Sequence, residues 1–265
     1  KLITVGNVED NMAWIAEADW ISEAVVERLE VKQALYRDID RVRKTNSMVS
    51  SNTSTIPLAK LTQNMPARLT PDFCITHFFN PVRYMRLVEF VASPQTRPEV
   101  VETLSWFCNV ILGKGIVHCR DTPGFLANRV GCYAMQLAIV EALNLGLTVE
   151  EADAVVGRPM GIPKTGVFGL YDLIGLDLML DVCRSLREAL PARDAFAPVA
   201  DGIPITHELV RAGYTGQKSR GGFYRNVGPK ENPSREAVDL ETGEFHPAVR
   251  PQLDAAAAGE ARGLR

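Results

Sequence analysis

Over the first 120 residues the apolar positions alternate between short strand-like runs and sets at helical spacing. Asn7 is placed to cap a short amphipathic helix carrying Val8, Met12 and Ile15, and residues 20–26 then read as a strand. From 28 to 43 the apolar set Leu29, Leu35, Ile39 and Val42 recurs near helical spacing. Strand-like runs follow at 48–51, 73–79, 86–92 and 115–119, with a helical pattern at 97–112. This alternation predicts an α/β sheet with helices packed on it.

The pattern changes at Asp121-Thr122-Pro123-Gly124, where a capping residue and a proline near the first helical position predict a long helix reaching about Gly146. Its apolar residues, among them Val130, Tyr133, Leu137, Ile139, Val140 and Leu143, cover more than one stripe. Burial in a helical domain together with a subunit contact satisfies such a helix, so a homodimer is expected. Further helices are expected at 149–156, 170–190 and 205–212, separated by Pro/Gly-rich joints such as 157–163. Residues 226–265 are polar and then Ala-rich without a strong period, and read as a linker or extension. The expected organisation is a sheet domain over 1–120, a helical substrate and dimerisation domain over 121–225, and the extension.

Composition narrows the functional classes. With 46% hydrophobic and 23% charged residues the chain is of the ordinary globular kind. A net charge of -3 offers no basic footprint for nucleic acid, while a few placed Lys or Arg still suffice for a phosphate-bearing small molecule. The five cysteines are widely spaced and form neither a CxxC pair nor a CxH cluster, which speaks against a disulfide framework and against a metal site. No run of about 18 apolar residues occurs, so a membrane span is not expected, and a cytoplasmic protein is.

Two strands carry candidate chemistry. Alternation puts His77 on one face with Phe73, Ile75 and Phe79, and Glu89 on one face with Leu87 and Val91. Each is costly to bury alone, so the two are expected to meet. An imidazole whose far nitrogen is held by a carboxylate is fixed in one tautomer and takes a proton through the other, although a purely structural His-Glu pair fits the same pattern. The Ser50-to-Ser54 run follows a strand, at the edge where open α/β sheets bind ligands; a helix cap and turn is the plainer alternative. Asn128 lies one turn beyond Gly124, and Lys218 sits in a Gly-rich turn, where it meets either phosphate or solvent. Neither GxGxxG nor GxxxxGK[ST] occurs in the chain.

Six segments taken in order resemble the 3-hydroxyacyl-CoA dehydrogenase family: Glu23 to Lys32 its EAVxExLxxK stretch, Ser51 to Ser54 its SNTS, His77 to Pro81 its HFFNP, Leu87 to Glu89 its LVE, Asp121 to Arg129 its DTPGFxxNR, and Gly216 to Tyr224 its closing turn. The resemblance covers roughly residues 2–224. It implies a Rossmann-like, mostly parallel sheet followed by an all-α C-terminal domain. It also implies NAD-dependent oxidation of L-3-hydroxyacyl-CoA to 3-oxoacyl-CoA in fatty-acid β-oxidation. His77 is then the general base and Glu89 its orienting partner, Ser54 and Asn128 contact the acyl-CoA substrate, and Glu27, Lys32, Asn52, Asn80 and Lys218 lie around the NAD.

The sequence departs from that family in two places. Members open with a strand, a Gly-rich turn and a helix that are absent from these 265 residues, so the sheet is expected to be truncated and the chain by itself inactive and weak in NAD binding. The stretch 159–168 is longer than in the short dehydrogenases and resembles long bacterial forms, which implies an enoyl-CoA hydratase part in the same parent chain. The alternatives are a non-catalytic family member or dimerisation module, and a dehydrogenase of small hydroxy acids; HFFNP with LVE favours the CoA enzymes.

Overall fold

A computed structural model of the chain describes residues 2–160, 164–229 and 231–251. Two compact units divide it, the first ending at Arg129 and the second beginning at Val130.

The first unit opens with helix α1 (Val8–Asn11), capped by Asn7, whose side-chain oxygen accepts the Asp10 N–H at 2.7 Å. Its sheet follows chain order: β1 (Trp20–Glu23), β2 (Met48–Ser51), β3 (Phe73–Phe78), β4 (Leu87–Val91) and β5 (Gly115–His118). All neighbours run parallel except β3 and β4, which are antiparallel. Strand period puts Phe73, Ile75 and Val91 on the face that packs with Tyr36 and Ile39 of helix α2 (Leu29–Val42) and with Leu58 and Leu61 of helix α3 (Leu58–Thr62). The opposite face buries Cys74 and Phe90 under Val100 and Leu104 of helix α4 (Pro98–Trp106), which begins at a proline and ends in a π-helical turn at Phe107–Ile111. Both faces are covered, as a mostly parallel sheet requires.

Helix α5 (Ala127–Asn144) starts later than the Asp-Thr-Pro-Gly signal predicts. Gly124 and Phe125 both adopt positive φ, 71° and 47°, and break the first turn.

The second unit is mainly helical. Helix α6 (Val149–Val155) has a capping box in which Thr148 Oγ1 and the Glu151 side chain exchange bonds with each other's backbone N–H. The single helix expected over 170–190 is two, α7 (Gly166–Ile174) and α8 (Leu176–Ala189), because Gly175 between them sits at φ 110°. Helix α9 (Pro204–Arg211) follows, and Ile139, Phe168, Tyr171, Leu176, Cys183 and Phe223 lie in the common core.

The segment expected to be an unpatterned linker or extension instead begins as an antiparallel sheet of β6 (Tyr224–Val227), β7 (Ser234–Val238) and β8 (Phe245–Pro247). The strands are three to five residues long and only Ala237 and Val238 are buried, too few positions to set a visible period. The Ala-rich stretch beyond 251, and 161–163 of the expected 157–163 joint and 159–168 stretch, lie outside the described residues. Among the described residues no helix is long and apolar enough to cross a membrane.

Candidate active site

His77 and Glu89 are direct cross-strand partners in the antiparallel pair β3·β4. Directly opposed residues project to the same face, and the side chains meet with Nδ1 of His77 2.7 Å from Oε2 of Glu89. Glu89 is fully buried and the His77 side chain 8% exposed, its ring flanked by Phe79 and Phe125 at ring separations of 4.4 and 6.0 Å. The second oxygen of Glu89 accepts the N–H of Leu126 at 2.9 Å and of Ala127 at 2.7 Å. Glu89 is thus a remote cap for α5 as well as the partner of His77, which explains why no local capping residue marks where that helix begins. Burial pushes the Glu89 carboxyl up, but the bond to His77 and the two backbone N–H groups hold it net below the ordinary carboxylate range. The same burial, with the neighbouring Glu89 charge, raises the Cys119 thiol to about 11, so it stays protonated beside the pair.

A second polar cluster gathers at the carboxyl ends of β1 and β2. Glu23, the last residue of β1, is buried and takes four donors: Lys32 Nζ at 2.8 Å, and Tyr36 Oη, Ser51 Oγ and the Val25 N–H, each at 2.7 Å. Lys32 is 1% exposed, and Nζ also reaches the Val25 carbonyl at 3.2 Å and Glu27 Oε2 at 3.2 Å. Its three donors are therefore engaged within the protein. Glu27 keeps about a third of its side chain exposed while Oε1 accepts from the N–H groups of Ser54 and Thr55 and from the Thr53 and Thr55 hydroxyls. Burial raises this carboxyl too; the Thr53 bond, the Lys32 charge and the Thr55 N–H outweigh it, and the group sits net below its ordinary range.

Asn52, just past β2, accepts the Phe78 N–H through Oδ1 at 2.8 Å, which joins this cluster to the strand that carries His77 and leaves its amide hydrogens for another partner. Ser54 is half-buried beside Glu27, and Asn80 is exposed in the connection between β3 and β4. Asn128 is half-buried in the first turn of α5, next to Ala127, whose N–H Glu89 holds. Lys218 lies in the second unit, where Nζ pairs with both Asp177 oxygens at 2.6 and 2.8 Å and packs over Gly175.

Glu23 and Tyr36 carry no site signal of their own in the sequence, though Glu23, like Ser51, opens one of the quoted motifs; the four-donor role of Glu23 appears only when β1, α2 and β2 converge. Phe125 adopts a positive φ next to His77, and its residue type carries no signal of that.

The chain thus combines a mostly parallel α/β sheet, carrying an imidazole-carboxylate pair at its antiparallel joint, with a helical unit that follows it in sequence. Residues 1–122 match the 3-hydroxyacyl-CoA dehydrogenase NAD binding domain, and residues 124–226 the C-terminal domain of the same enzymes. The chain belongs to the 3-hydroxyacyl-CoA dehydrogenase family. It is 39% identical to a putative fatty acid oxidation complex trifunctional enzyme of Rickettsia prowazekii, over 96% of this chain and 35% of that protein. It is 32% identical to the mitochondrial hydroxyacyl-coenzyme A dehydrogenase of Rattus norvegicus, over 84% of this chain and 69% of that protein. The crystal structure of an Escherichia coli 3-hydroxybutyryl-CoA dehydrogenase superposes with a TM-score of 0.71 at 34% identity, covering 79% of this chain and 43% of that one. The chain spans about a third of the length of the longer bacterial relatives it matches.

Proposed function

We propose that this chain forms part of an enzyme that oxidises L-3-hydroxyacyl-CoA to 3-oxoacyl-CoA with NAD, with His77 as the general base. The observation that carries the reading is the Nδ1–Oε2 contact of 2.7 Å between His77 and a Glu89 anchored by two backbone N–H groups. With Nδ1–H donated to Glu89, Nε2 carries the lone pair and accepts the proton of the substrate 3-hydroxyl. The imidazolium so formed is stabilised by the fixed carboxylate, which needs no rearrangement to meet it. In the reverse direction Nε2–H protonates the 3-oxo oxygen. NAD, when bound beside this pair, would supply the hydride acceptor for C3.

The polar groups at the carboxyl ends of β1 and β2 fit such a cofactor, since open α/β sheets bind nucleotides at that edge. Glu27 and Asn52 have accessible groups there, and Asn80 is exposed nearby in sequence to His77. Lys32 acts indirectly in this reading: buried and fully engaged, it holds Glu27 in place. In this reading Ser54 and Asn128 contact the acyl-CoA, and Lys218 is a cofactor contact. A homodimer in the cytoplasm, with an enoyl-CoA hydratase part in the parent chain, belongs to the same reading; Val130 in the first turn of α5 and Leu145 just past its last residue are exposed and support the subunit contact.

The test is acetoacetyl-CoA reduction by the full-length protein, followed through NADH absorbance. Turnover that depends on His77 supports the assignment. Turnover unchanged in His77→Gln ends it.

A further inference from the structure

A cavity of about 800 Å³ opens in the second unit beside the start of α7, the turn at 216–222 and strands β6 and β7. Four of its lining side chains are cationic, Lys164, Arg220, Arg225 and Arg235, against one carboxylate, Asp172. In a chain whose 32 acidic residues outnumber its 29 Lys and Arg, this is a local reversal of sign. Asp172 does little to cancel it, because both its oxygens point inward and accept the N–H groups of Phe223 and Tyr224 at 2.8 Å.

Arg225 is neutralised by Glu236 at 2.7 Å. Among the described residues, Lys164, Arg220 and Arg235 have no carboxylate within ion-pair distance. Two of the three are nonetheless fixed in position. The Arg235 guanidinium lies 3.7 Å over the Tyr224 ring, and that ring is anchored through its hydroxyl to Asp153 at 3.0 Å. Arg220 lies 4.8 Å over the Tyr214 ring and donates to the Ala212 carbonyl. A guanidinium stacked on a ring keeps its N–H edge free for an anion. Thr165, at the mouth of α7, adds a hydroxyl oxygen that is buried and without a hydrogen-bond partner.

We infer that this cavity binds a phosphate monoester carried by a small molecule, with Lys164, Arg220 and Arg235 as its cationic contacts and the Thr165 hydroxyl as a further donor. None of these residues belongs to the set proposed for hydroxyacyl chemistry. A dianionic phosphate satisfies three cations that have no direct ion-pair partner among the described residues, and planar guanidinium groups match its oxygens in pairs. Two sources offer that group, the 3′-phosphate end of coenzyme A and a free nucleotide.

The test is calorimetric titration of the full chain with coenzyme A, dephospho-coenzyme A, adenosine 3′,5′-bisphosphate and AMP. Lys164→Gln and Arg235→Gln are expected to weaken adenosine 3′,5′-bisphosphate by about tenfold or more each, while His77→Gln leaves it unchanged. Binding of the bisphosphate and coenzyme A without dephospho-coenzyme A or AMP assigns the coenzyme as source; comparable binding of AMP assigns free nucleotides. Absence of bisphosphate binding at millimolar concentration overturns the inference. So does bisphosphate affinity unaltered by Lys164→Gln, a change at an exposed side chain that leaves folding intact.

Discussion

His77 and Glu89 face each other at the one antiparallel joint of the five-stranded sheet, and Glu89 turns its other oxygen onto the start of α5. A single carboxylate therefore sets the tautomer of the imidazole and the position of the helix that bears Asn128. Replacing His77 by Gln removes only the proton acceptor, so turnover in the full-length protein should fall by about 10²- to 10⁴-fold with folding intact. Glu89→Gln should do more. Its amide cannot accept the Leu126 and Ala127 N–H groups and the His77 Nδ1–H together, so the thermal midpoint drops as well as the rate. Paired rate and melting measurements on the two variants separate these effects; an unaltered rate for Glu89→Gln would show that the carboxylate does not orient the imidazole.

Much of this was legible in the sequence because strand period is local. His77 and Glu89 each announce their face through their neighbours, and burial cost alone suggests that they meet. What was not legible depends on convergence. Glu23 looks like one more exposed acid until Lys32, Tyr36 and Ser51 arrive from two other elements. The start of α5 is misplaced by four residues when read from Pro123, since its cap comes from Glu89, 38 positions earlier. Strands β6 to β8 are too short, and too little buried, for alternation to outweigh their polar composition.

Lys32→Met tests the buried cluster. The ammonium is enclosed by Glu23, Glu27 and the Val25 carbonyl, and its loss leaves Glu23 without its counter-charge in a site closed to water. Breaking a buried pair in this way costs about 3–5 kcal/mol. Denaturant unfolding should register that loss, while a change under about 1 kcal/mol would mean that Glu23 is satisfied by Tyr36, Ser51 and the Val25 N–H alone.

The second unit should lose stability as pH rises toward neutrality. Burial outweighs the opposing bonds from backbone N–H groups and raises Asp172 to about 7 and Asp153 to about 6. A folded-state pKa above the unfolded one means that the folded unit holds the extra proton between the two values. Its contribution is complete below about pH 4, the unfolded range, declines across the interval and is gone above about pH 7. Asp172→Asn removes that titration at the cost of one backbone hydrogen bond. Unfolding free energy of the wild type should therefore fall more steeply than that of the variant between pH 4.5 and 7.5, both conditions being about the edges of the window. Equal slopes would refute the assignment to Asp172.

Gly222→Ala examines the same carboxylate from the outside. Gly222 precedes Phe223 and Tyr224, the two residues whose N–H groups Asp172 binds, so the backbone there passes directly over the carboxylate. A Cβ at position 222 would fall well inside van der Waals contact with Asp172 Oδ1 and 3.0 Å from Leu176 Cδ1. Neither neighbour can yield easily, since Asp172 is pinned by both bonds and Leu176 is fully buried. The glycine in the closing turn is thus explained by close approach rather than by a left-handed φ, which distinguishes it from Gly221 at φ 133°. Relief requires the 223–224 backbone to move away and stretch both hydrogen bonds, a cost of about 1–3 kcal/mol for overpacking before any bond is lost. Because β6 begins at Tyr224, the displacement should spread into the small sheet and expose its amides. Hydrogen exchange at Tyr224 to Val227 is expected to accelerate in Gly222→Ala along with a lower thermal midpoint, and protection equal to the wild type would show that the turn accommodates a side chain.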